Sequence, residues 1–267
     1  MTRIACLFIP LFPLAARLRS EPELAGETVA VCEGNGSAAK VVGASRPARK
    51  SGVRSGMSLA QARGILPSLI ARGRDASSEG SAHEALLETA VGLSPRIEDA
   101  APDLVYADVG GMERLFEGVS GERDMGQAAI VAAEALDLPV RMGIANNKLA
   151  ARIAARMPDS PTVVAAGDEA RFLAPLPLAH LNLEQRLIDT LERWGVRTLG
   201  DLARLPADRA ASRLVNHFSR DAIRIFSNHP VDRKSFHNRF SKGLSPLRRV
   251  AHLSAYVRRR AVENWQV

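Results

Sequence analysis

Short apolar segments of strand length alternate with amphipathic segments of helix length through the first 165 residues of the chain. A sheet must bury its apolar face against another layer, so this alternation favours helices packed on a mixed sheet. We therefore predict an α/β (α+β) fold of the ferredoxin-like kind. The predicted strands are 3–9, 28–33, 38–43, 68–72, 96–100, 104–109 and 139–144, and the predicted helices are 13–20, 46–51, 58–65, 81–93, 121–137 and 146–157.

Two local signals define connections in this part of the chain. The segment 34–37 (Gly-Asn-Gly-Ser) joins two predicted strands, and Asn-Gly supplies the positive φ that a hairpin turn needs. A glycine-rich phosphate loop is the alternative, but it would end in Lys followed by Ser or Thr, which this segment lacks. Ser58 is predicted to be the N-cap of the helix that follows it.

The second half of the chain is predicted to be a small helical module. Prolines become frequent from Pro158 onward, and no strong strand pattern follows residues 162–165. Thr198 is a candidate N-cap. The predicted short amphipathic helices are 184–193, 198–204, 207–214 and 219–227, and the apolar face of the first is formed by Leu183, Leu187, Ile188, Leu191 and Trp194.

Composition narrows the class of protein. Aromatic residues make up only 4% of the chain, which favours a helix-rich α/β protein over a β-sandwich. No apolar run approaches the roughly 18 to 20 residues that a membrane span needs, and we recognise no signal peptide, so no membrane association is predicted. Cys6 and Cys32 lie singly in apolar runs, which favours core thiols in a reducing, cytoplasmic setting over a disulfide.

The net charge of +7 is concentrated at one end. Residues 231–267 contain nine Lys and Arg against two acids, which accounts for the whole net charge. Such a tail favours binding to nucleic acid through release of counterions. The run Arg258, Arg259 and Arg260, between Tyr256 and Trp265, is therefore a candidate DNA-binding segment. A solvated, poorly ordered end is the alternative explanation.

Four segments, in order along the chain, carry a family resemblance. They are the strand at 3–9 followed by Phe12, the basic block at 42–67, the stretch at 106–111, and the stretch at 143–154, which opens Gly-Ile-Ala-Asn-Asn-Lys. Together they resemble the Y-family (UmuC/DinB-like) translesion DNA polymerases over residues 1 to about 228. The resemblance implies a palm at 1–25 and 74–165, fingers at 26–73, a helical thumb at 166–230 and a basic tail at 231–267, with the little-finger domain absent.

The residues that would hold catalytic metals in this family are mostly apolar here. The family's first strand ends in Asp-hydrophobic-Asp, and Leu7 and Ile9 take those positions. The Asp-Glu pair of the partner strand falls on Asp103 and Leu104, and Asp108 corresponds to a supporting acid. Because Mg²⁺ needs several hard oxygen ligands, one or two carboxylates on one strand do not build a two-metal site. We predict no cofactor, with Mg²⁺ required only by an active polymerase; structural or solvated acids are the alternative roles of Asp103 and Asp108.

The resemblance also assigns basic residues to nucleotide binding. Arg49 and Lys148 fall on the fingers Arg and palm Lys that contact the incoming triphosphate in active members. Arg46 replaces the fingers Tyr that accompanies them, so only weak binding of phosphate is expected from these three residues. Phe12 takes the place of the aromatic residue that discriminates between sugars, and simple core packing is its alternative role.

Within the family, the chain resembles the catalytically silent ImuB branch of bacterial mutasomes. The first strand of that branch carries hydrophobic residues and a proline, as Phe8-Ile9-Pro10 does here, and its palm motif ends in a turn similar to residues 115–118. The resemblance implies a non-catalytic repair protein that binds primer-template or damaged DNA during damage-induced (SOS) translesion synthesis. An active error-prone polymerase and a truncated remnant without function are the alternatives.

The same resemblance implies protein partners. They are an error-prone replicative-type polymerase, a RecA-like accessory protein and the sliding clamp. The Gln-centred apolar peptide that docks on the clamp is not recognisable, because Gln185 lies in a helical stripe and Gln266 is next to the last residue. The clamp is therefore the least supported of the three.

Overall fold

In the computed structural model, the described residues are 3–112, 121–181 and 183–204. The chain divides into two compact units, Met1–Ala166 and Gly167–Val267. Several predictions lie outside the described residues: the helices at 207–214 and 219–227, the basic tail with Arg258, Arg259 and Arg260, the turn at 115–118, and the absence of a little finger.

The first unit has the α/β composition that the sequence predicts. All the helices and strands predicted there are present, with ends that differ by up to five residues. The strands are β1 (Ile4–Phe8), β2 (Val29–Glu33), β3 (Lys40–Ala44), β4 (Ile70–Gly73), β5 (Ile97–Ala101), β6 (Leu104–Asp108), β7 (Arg141–Ala145) and β8 (Thr162–Val163). The helices are α1 (Phe12–Ser20), α2 (Arg46–Lys50), α3 (Leu59–Ile65), α4 (Ala76–Leu93), α5 (Glu122–Glu134) and α6 (Lys148–Ala154).

The larger sheet of this unit has β1 at its centre, in the order β5-β6-β1-β7-β8. β1 is antiparallel to both neighbours, and β7 is parallel to β8. Leu7 lies opposite Val105, whereas Phe8 lies opposite Leu104 and Arg141. Because directly opposed residues share a face and successive residues alternate, Leu7 and Phe8 mark the two faces of the sheet.

Helices cover the two faces unequally. The face of Leu7, here called the core face, packs against α1, α4 and α5 and forms the main hydrophobic core. The face of Phe8, here called the α6 face, is covered along β1 and β7 by α6. Gly143 of β7 allows this approach, since a Cβ there would lie 2.3 Å from the carbonyl oxygen of Ala151 and the backbone nitrogen of Ala155.

A second, smaller sheet is formed by β3, β2 and β4, in that order. The hairpin predicted between β2 and β3 is present, with positive φ at Gly34 and Gly36. Ser58 forms the predicted N-cap of α3: its Oγ accepts from the N–H of Gln61, whose side chain accepts from the N–H of Ser58. Buried Ser45 caps α2 in the same manner, by accepting from the N–H of Ala48.

The second unit is helical over its described residues, with α7 (Glu169–Leu173), α8 (Gln185–Arg193) and α9 (Leu199–Arg204). Leu187 and Leu191 are buried, as the amphipathic pattern predicts. Trp194 was expected on the same buried face but is 40% exposed, because α8 ends at Arg193. Thr198 forms the predicted cap, with its Oγ1 accepting from the N–H of Asp201. Among the described helices, none combines the length and the apolar composition that a membrane span requires.

Candidate functional site

The α6 face of the larger sheet is the candidate site, and the register of β1 determines which residues of that strand lie on it. Leu7 and Ile9 are fully buried in the core cluster on the opposite face. Leu104 lies on the α6 face, opposite Phe8. The three apolar residues predicted to replace metal ligands therefore do not converge on one site. The β1 residue that faces Leu104 is Phe8, which is also apolar.

The two residual acids are far apart. Asp103 lies immediately before β6, and Asp108 is the last residue of that strand. Five residues span about 17 Å in an extended strand. The N–H of Ile9 donates to the carbonyl oxygen of Asp103, whereas Asp108 lies opposite Ile4, at the other end of the pairing between β1 and β6. Within the described parts of the chain, no group of three or more His, Cys, Asp or Glu side chains is placed to hold a metal ion.

Asp108 has a structural role. Its carboxylate pairs with Arg96 at 3.3 Å and accepts from the N–H of Gly110 at 3.2 Å. Asp103 is half-buried, and this burial raises the pKa of its carboxyl, although its own backbone and the charge of Arg156 act in the opposite direction. Asp103 therefore lies close to Arg156, a cation of the α6 face.

Lys148 begins α6 and is held by its neighbours. Asn147 caps this helix by accepting from the N–H of Ala150 at 2.8 Å. The Nζ of Lys148 pairs with the carboxylate of Glu98 and lies 5.4 Å from the centre of the Tyr106 ring. A phosphate that bound to Lys148 would compete with Glu98, so the ion pair weakens this position as an anion site.

Arg46 and Arg49 lie on α2, beside the smaller sheet. Both are exposed, and neither makes a side-chain hydrogen bond or ion pair with a described residue. Their side chains are thus available to an anion. No described contact joins them to Lys148, so the predicted triphosphate set is spread over two sheets.

Phe12 is part of the main hydrophobic core. It is 6% exposed and packs in the cluster that contains Leu7 and Ile9. Leu11, immediately before it, adopts a left-handed conformation with φ 51°, which is strained for a residue with a branched side chain. The buried ring of Phe12 fits the packing alternative better than contact with a nucleotide sugar.

The sequence interpretation missed three arginines of the α6 face, two of which lie beside Phe8. Arg141 lies opposite Phe8 in the sheet, and the guanidinium of Arg156 lies 4.6 Å from the centre of the Phe8 ring. Arg152 is one helical turn before Arg156, on α6. The spacing Lys148, Arg152, Arg156 is visible in the sequence and could have indicated a basic stripe, but only the sheet register brings in Arg141.

Burial changes the acid–base properties of this face. It raises the pKa of the Cys6 thiol to about 12, against the opposing charges of Arg156 and Arg152. It raises the pKa of Tyr106 as well. Burial, followed by the charge of Arg152, lowers the pKa of Arg156. The α6 face is thus a partly desolvated surface whose charged groups are mainly cations.

Residues 7–156 match the sequence pattern of the impB/mucB/samB family, and they contain the smaller sheet and most of the larger one. The chain belongs to this family. Among relatives, it is 31% identical over 239 residues to "DNA polymerase IV" of Dehalococcoides mccartyi (strain CBDB1), covering 87% of this chain and 60% of that protein. It is 27% identical over 162 residues to "Protein ImuB" of Caulobacter vibrioides (strain NA1000 / CB15N), covering 61% of this chain and 35% of that protein.

Solved structures of other proteins have the same fold. DinB from Sulfolobus solfataricus matches with a TM-score of 0.68 at 20% identity, over 91% of this chain and 69% of that one. The insertion ternary complex of Dbh DNA polymerase matches with a TM-score of 0.68 at 21% identity, over the same shares. The predicted Y-family polymerase-like fold of palm and fingers is thereby confirmed. The chain spans about half the length of the curated relatives it matches.

Proposed function

We propose that this member of the impB/mucB/samB family is a non-catalytic component of DNA damage tolerance that binds primer-template or damaged DNA. The observation that carries the proposal is the composition of the α6 face. Phe8 and Leu104 oppose each other there, and Arg141 and Arg156 lie beside Phe8. Two-metal phosphoryl transfer requires carboxylates that clamp both metals, and clustered guanidinium groups repel divalent cations instead.

Binding to DNA is supported by the family and by charge. Two similar solved structures are described as ternary complexes of a DNA polymerase. In this chain, exposed Arg46 and Arg49 lie on α2, and the tail contains Arg258, Arg259 and Arg260. Contacts of this kind are made to phosphates, so they position a protein on DNA without reading its sequence.

An active error-prone polymerase is the second candidate. It is favoured by the identity of 31% to a protein named DNA polymerase IV over most of this chain, which exceeds the identity to ImuB in both degree and extent. Membership of the ImuB branch therefore rests on the apolar residues at the metal positions. An inactive remnant, the third candidate, would unfold without a cooperative transition.

Primer extension separates the first two candidates. We expect the full chain to add no nucleotide to a labelled primer-template with Mg²⁺ or Mn²⁺ and all four nucleotides. The Lys148→Ala variant serves as the control for a contaminating enzyme. Incorporation by the wild-type chain that is lost in this variant would overturn the non-catalytic assignment.

Fluorescence anisotropy tests the DNA-binding part. We expect affinity for the same primer-template to fall steeply with salt, since phosphate contacts release counterions. Replacing Arg258, Arg259 and Arg260 by Ala in the full chain removes the tail's cluster of charge. Binding that survives places the contact elsewhere on the chain, and no binding at low salt would sink the DNA-binding proposal.

The remaining parts of the proposal concern partners and location. An error-prone replicative-type polymerase and a RecA-like accessory protein are the proposed protein partners, and the sliding clamp is a weaker one. A cytoplasmic location during the SOS response is proposed as well, and the two buried, unpaired cysteines Cys6 and Cys32 suit a reducing compartment. Pull-down of each purified partner by the full chain tests these contacts one at a time.

A further inference from the structure

Three arginines lie near one another on the α6 face, and two of them lie beside the ring of Phe8. Arg141 begins β7 opposite Phe8, and Arg156 stacks on Phe8 at 4.6 Å from the ring centre. Arg152 precedes Arg156 by four residues, and both belong to α6 or to the turn that ends it. We call Arg141, Arg152 and Arg156 the arginine cluster.

The arginine cluster contains buried nitrogen atoms without partners. The Nε atoms of Arg141 and Arg152 and one terminal nitrogen of Arg156 are buried and make no hydrogen bond. A buried donor left unpaired is costly, and more so when the group is charged. Three such atoms on neighbouring side chains are a substantial penalty for a fold unless an acceptor joins them.

The charges of the arginine cluster are also poorly neutralised. Arg141 donates to the carbonyl oxygens of Met157 and Pro158, which carry no net charge. Across the described ranges, no carboxylate forms an ion pair with any of the three arginines. Asp103 is the acid whose charge reaches Arg156, and its burial raises its pKa. Each arginine is half-buried, so a small anion can still approach the cluster.

We propose that the arginine cluster is a metal-independent phosphate-binding site on the α6 face. Guanidinium groups present N–H donors in a fork that matches the oxygens of phosphate, and they remain charged throughout the physiological pH range. A bound phosphate would accept hydrogen bonds from several cluster arginines and offset their mutual repulsion. The site would thus hold a phosphate directly, without the bridging metal ions that carboxylate sites require.

The phosphate can come from two sources, a DNA backbone or a free polyphosphate such as that of a nucleotide. Either source presents the same phosphate oxygens to the arginines. The site does not rest on the proposed function, because a free polyphosphate would bind it without DNA. Two probes separate the sources: a labelled primer-template duplex followed by anisotropy, and sodium tripolyphosphate followed by calorimetry. Both titrations use the full chain with EDTA present.

The decisive variant is the double substitution Arg152→Ala with Arg156→Ala. We expect it to weaken binding of at least one probe by about tenfold or more, the effect of losing charge-assisted hydrogen bonds. For DNA, the salt dependence should also fall by about 0.9 in log–log slope for each phosphate that the variant no longer binds. Arg123→Ala is the matched control, because Arg123 is exposed on α5, across the sheet from the cluster.

The Asp103→Asn variant is expected to bind phosphate more tightly, a result that misfolding would not produce. It removes the negative charge beside Arg156, so the phosphate probe should bind more tightly. Loss of DNA binding alone in the double variant identifies a backbone phosphate, and loss of tripolyphosphate binding alone identifies a free polyphosphate; both support the site. Equal affinities in the double variant and Arg123→Ala overturn it.

If the double variant fails to fold, Asp103→Asn decides: tighter binding supports the site, and unchanged binding overturns it. A wild-type chain that binds tripolyphosphate but not DNA would refute the proposed DNA-binding function and leave the phosphate site standing. A wild-type chain that binds neither probe would refute both.

Discussion

Arg3 shows how one residue joins distant parts of the fold. Its guanidinium donates to both carboxylate oxygens of Glu122, to the side-chain oxygen of Asn146 and to the carbonyl oxygen of Val164. The residue is only 8% exposed. Because a buried charge is costly unless it is paired, the benefit of Arg3 depends on keeping this whole set of partners.

We predict that Arg3→Ala destabilises the protein by about 3–5 kcal/mol, since Glu122 would be left as a poorly paired charge. Urea unfolding followed by circular dichroism measures the change. Arg96→Ala is the control: Arg96 also forms an ion pair, with Asp108, but its side chain is 78% exposed. That pair should contribute at most about 1 kcal/mol. Equal losses in the two variants would contradict the role assigned to Arg3.

A pair of substitutions on β1 tests the assignment of its two faces. Leu7→Asp would place a carboxylate in the fully buried core, and we expect a loss of at least about 3 kcal/mol. Phe8→Asp would place the same group beside Arg156 on the α6 face, where an opposite charge is present. It should therefore be the milder change. Thermal unfolding of both variants gives the comparison, and the reverse order of stability would show that the faces are exchanged.

At the scale of elements, the close contact between α6 and β7 depends on Gly143. A Cβ at this position would overlap backbone atoms of Ala151 and Ala155, which cannot rotate away as a side chain can. The position of α6, which carries Lys148 and Arg152, thus depends on residue 143 having no side chain.

We predict that Gly143→Ala displaces α6 and destabilises the protein by about 3 kcal/mol or more, because the overlap is with backbone. Gly80→Ala is the matched control: Gly80 lies within α4 with open space around its Cβ position. That variant should gain about 0.5–1 kcal/mol from better helix propensity. Chemical denaturation of the two variants measures both effects. A neutral Gly143→Ala would show that α6 does not lie this close to β7.

Asp201, in the first turn of α9, is expected to have a measurably lowered pKa. Hydrogen bonds from Thr198, first by its side chain, lower the pKa of Asp201, and this carboxylate also accepts from the N–H of Arg197. A lowered folded-state pKa gives stability that is present above the ordinary pKa of Asp and is lost as pH falls through the folded value.

We predict that Thr198→Ala raises the pKa of Asp201 toward its ordinary value and reduces the loss of stability on acidification. Nuclear magnetic resonance titration of the Asp201 carboxyl measures the shift. Thr198→Ser retains the hydroxyl and should leave the pKa low. An unchanged pKa in Thr198→Ala would rule out this capping interaction.

The elements were predictable from the sequence, whereas the faces of the central strand were not. Alternating apolar and amphipathic segments gave the order of strands and helices, and Ser58 and Thr198 were identified as caps from local chemistry. β1, however, is apolar at every position, so its pattern cannot distinguish the core face from the α6 face. Only pairing with β6 and β7 places Phe8, and not Leu7, opposite Leu104.

For the same reason, only part of the candidate site was predictable from the sequence. The positions of Lys148, Arg49 and Asp103 were predictable because each belongs to a short motif that is continuous in the sequence. The arginine cluster combines a residue of β7 with two residues near α6, and its geometry depends on the contact between these elements. Long-range packing of this kind leaves no signature in local sequence.

At the scale of the whole molecule, the distribution of acids sets the response to divalent metals. No described cluster of carboxylates is suited to Mg²⁺, and the α6 face presents cations. A ligand that binds only the folded state raises its stability with concentration.

We therefore predict that the thermal unfolding temperature is the same in millimolar Mg²⁺ and in EDTA. Differential scanning calorimetry provides the measurement, with Ca²⁺ as the control for general ionic effects. A saturable rise that is specific to Mg²⁺, and that disappears in Asp103→Asn, would reveal a metal site on β6 and favour the polymerase alternative.

The central position of β1 has a consequence for synthesis of the protein. Ile4 pairs with Asp108 on one side and with Ala145 on the other, so β1 is synthesised more than a hundred residues before either of its edges can be covered. Contacts so distant along the chain slow folding and leave apolar strands unpaired in the meantime. The nascent chain is thus exposed to aggregation until β7 has emerged, and chaperone binding to this apolar N-terminal strand would fall within that interval.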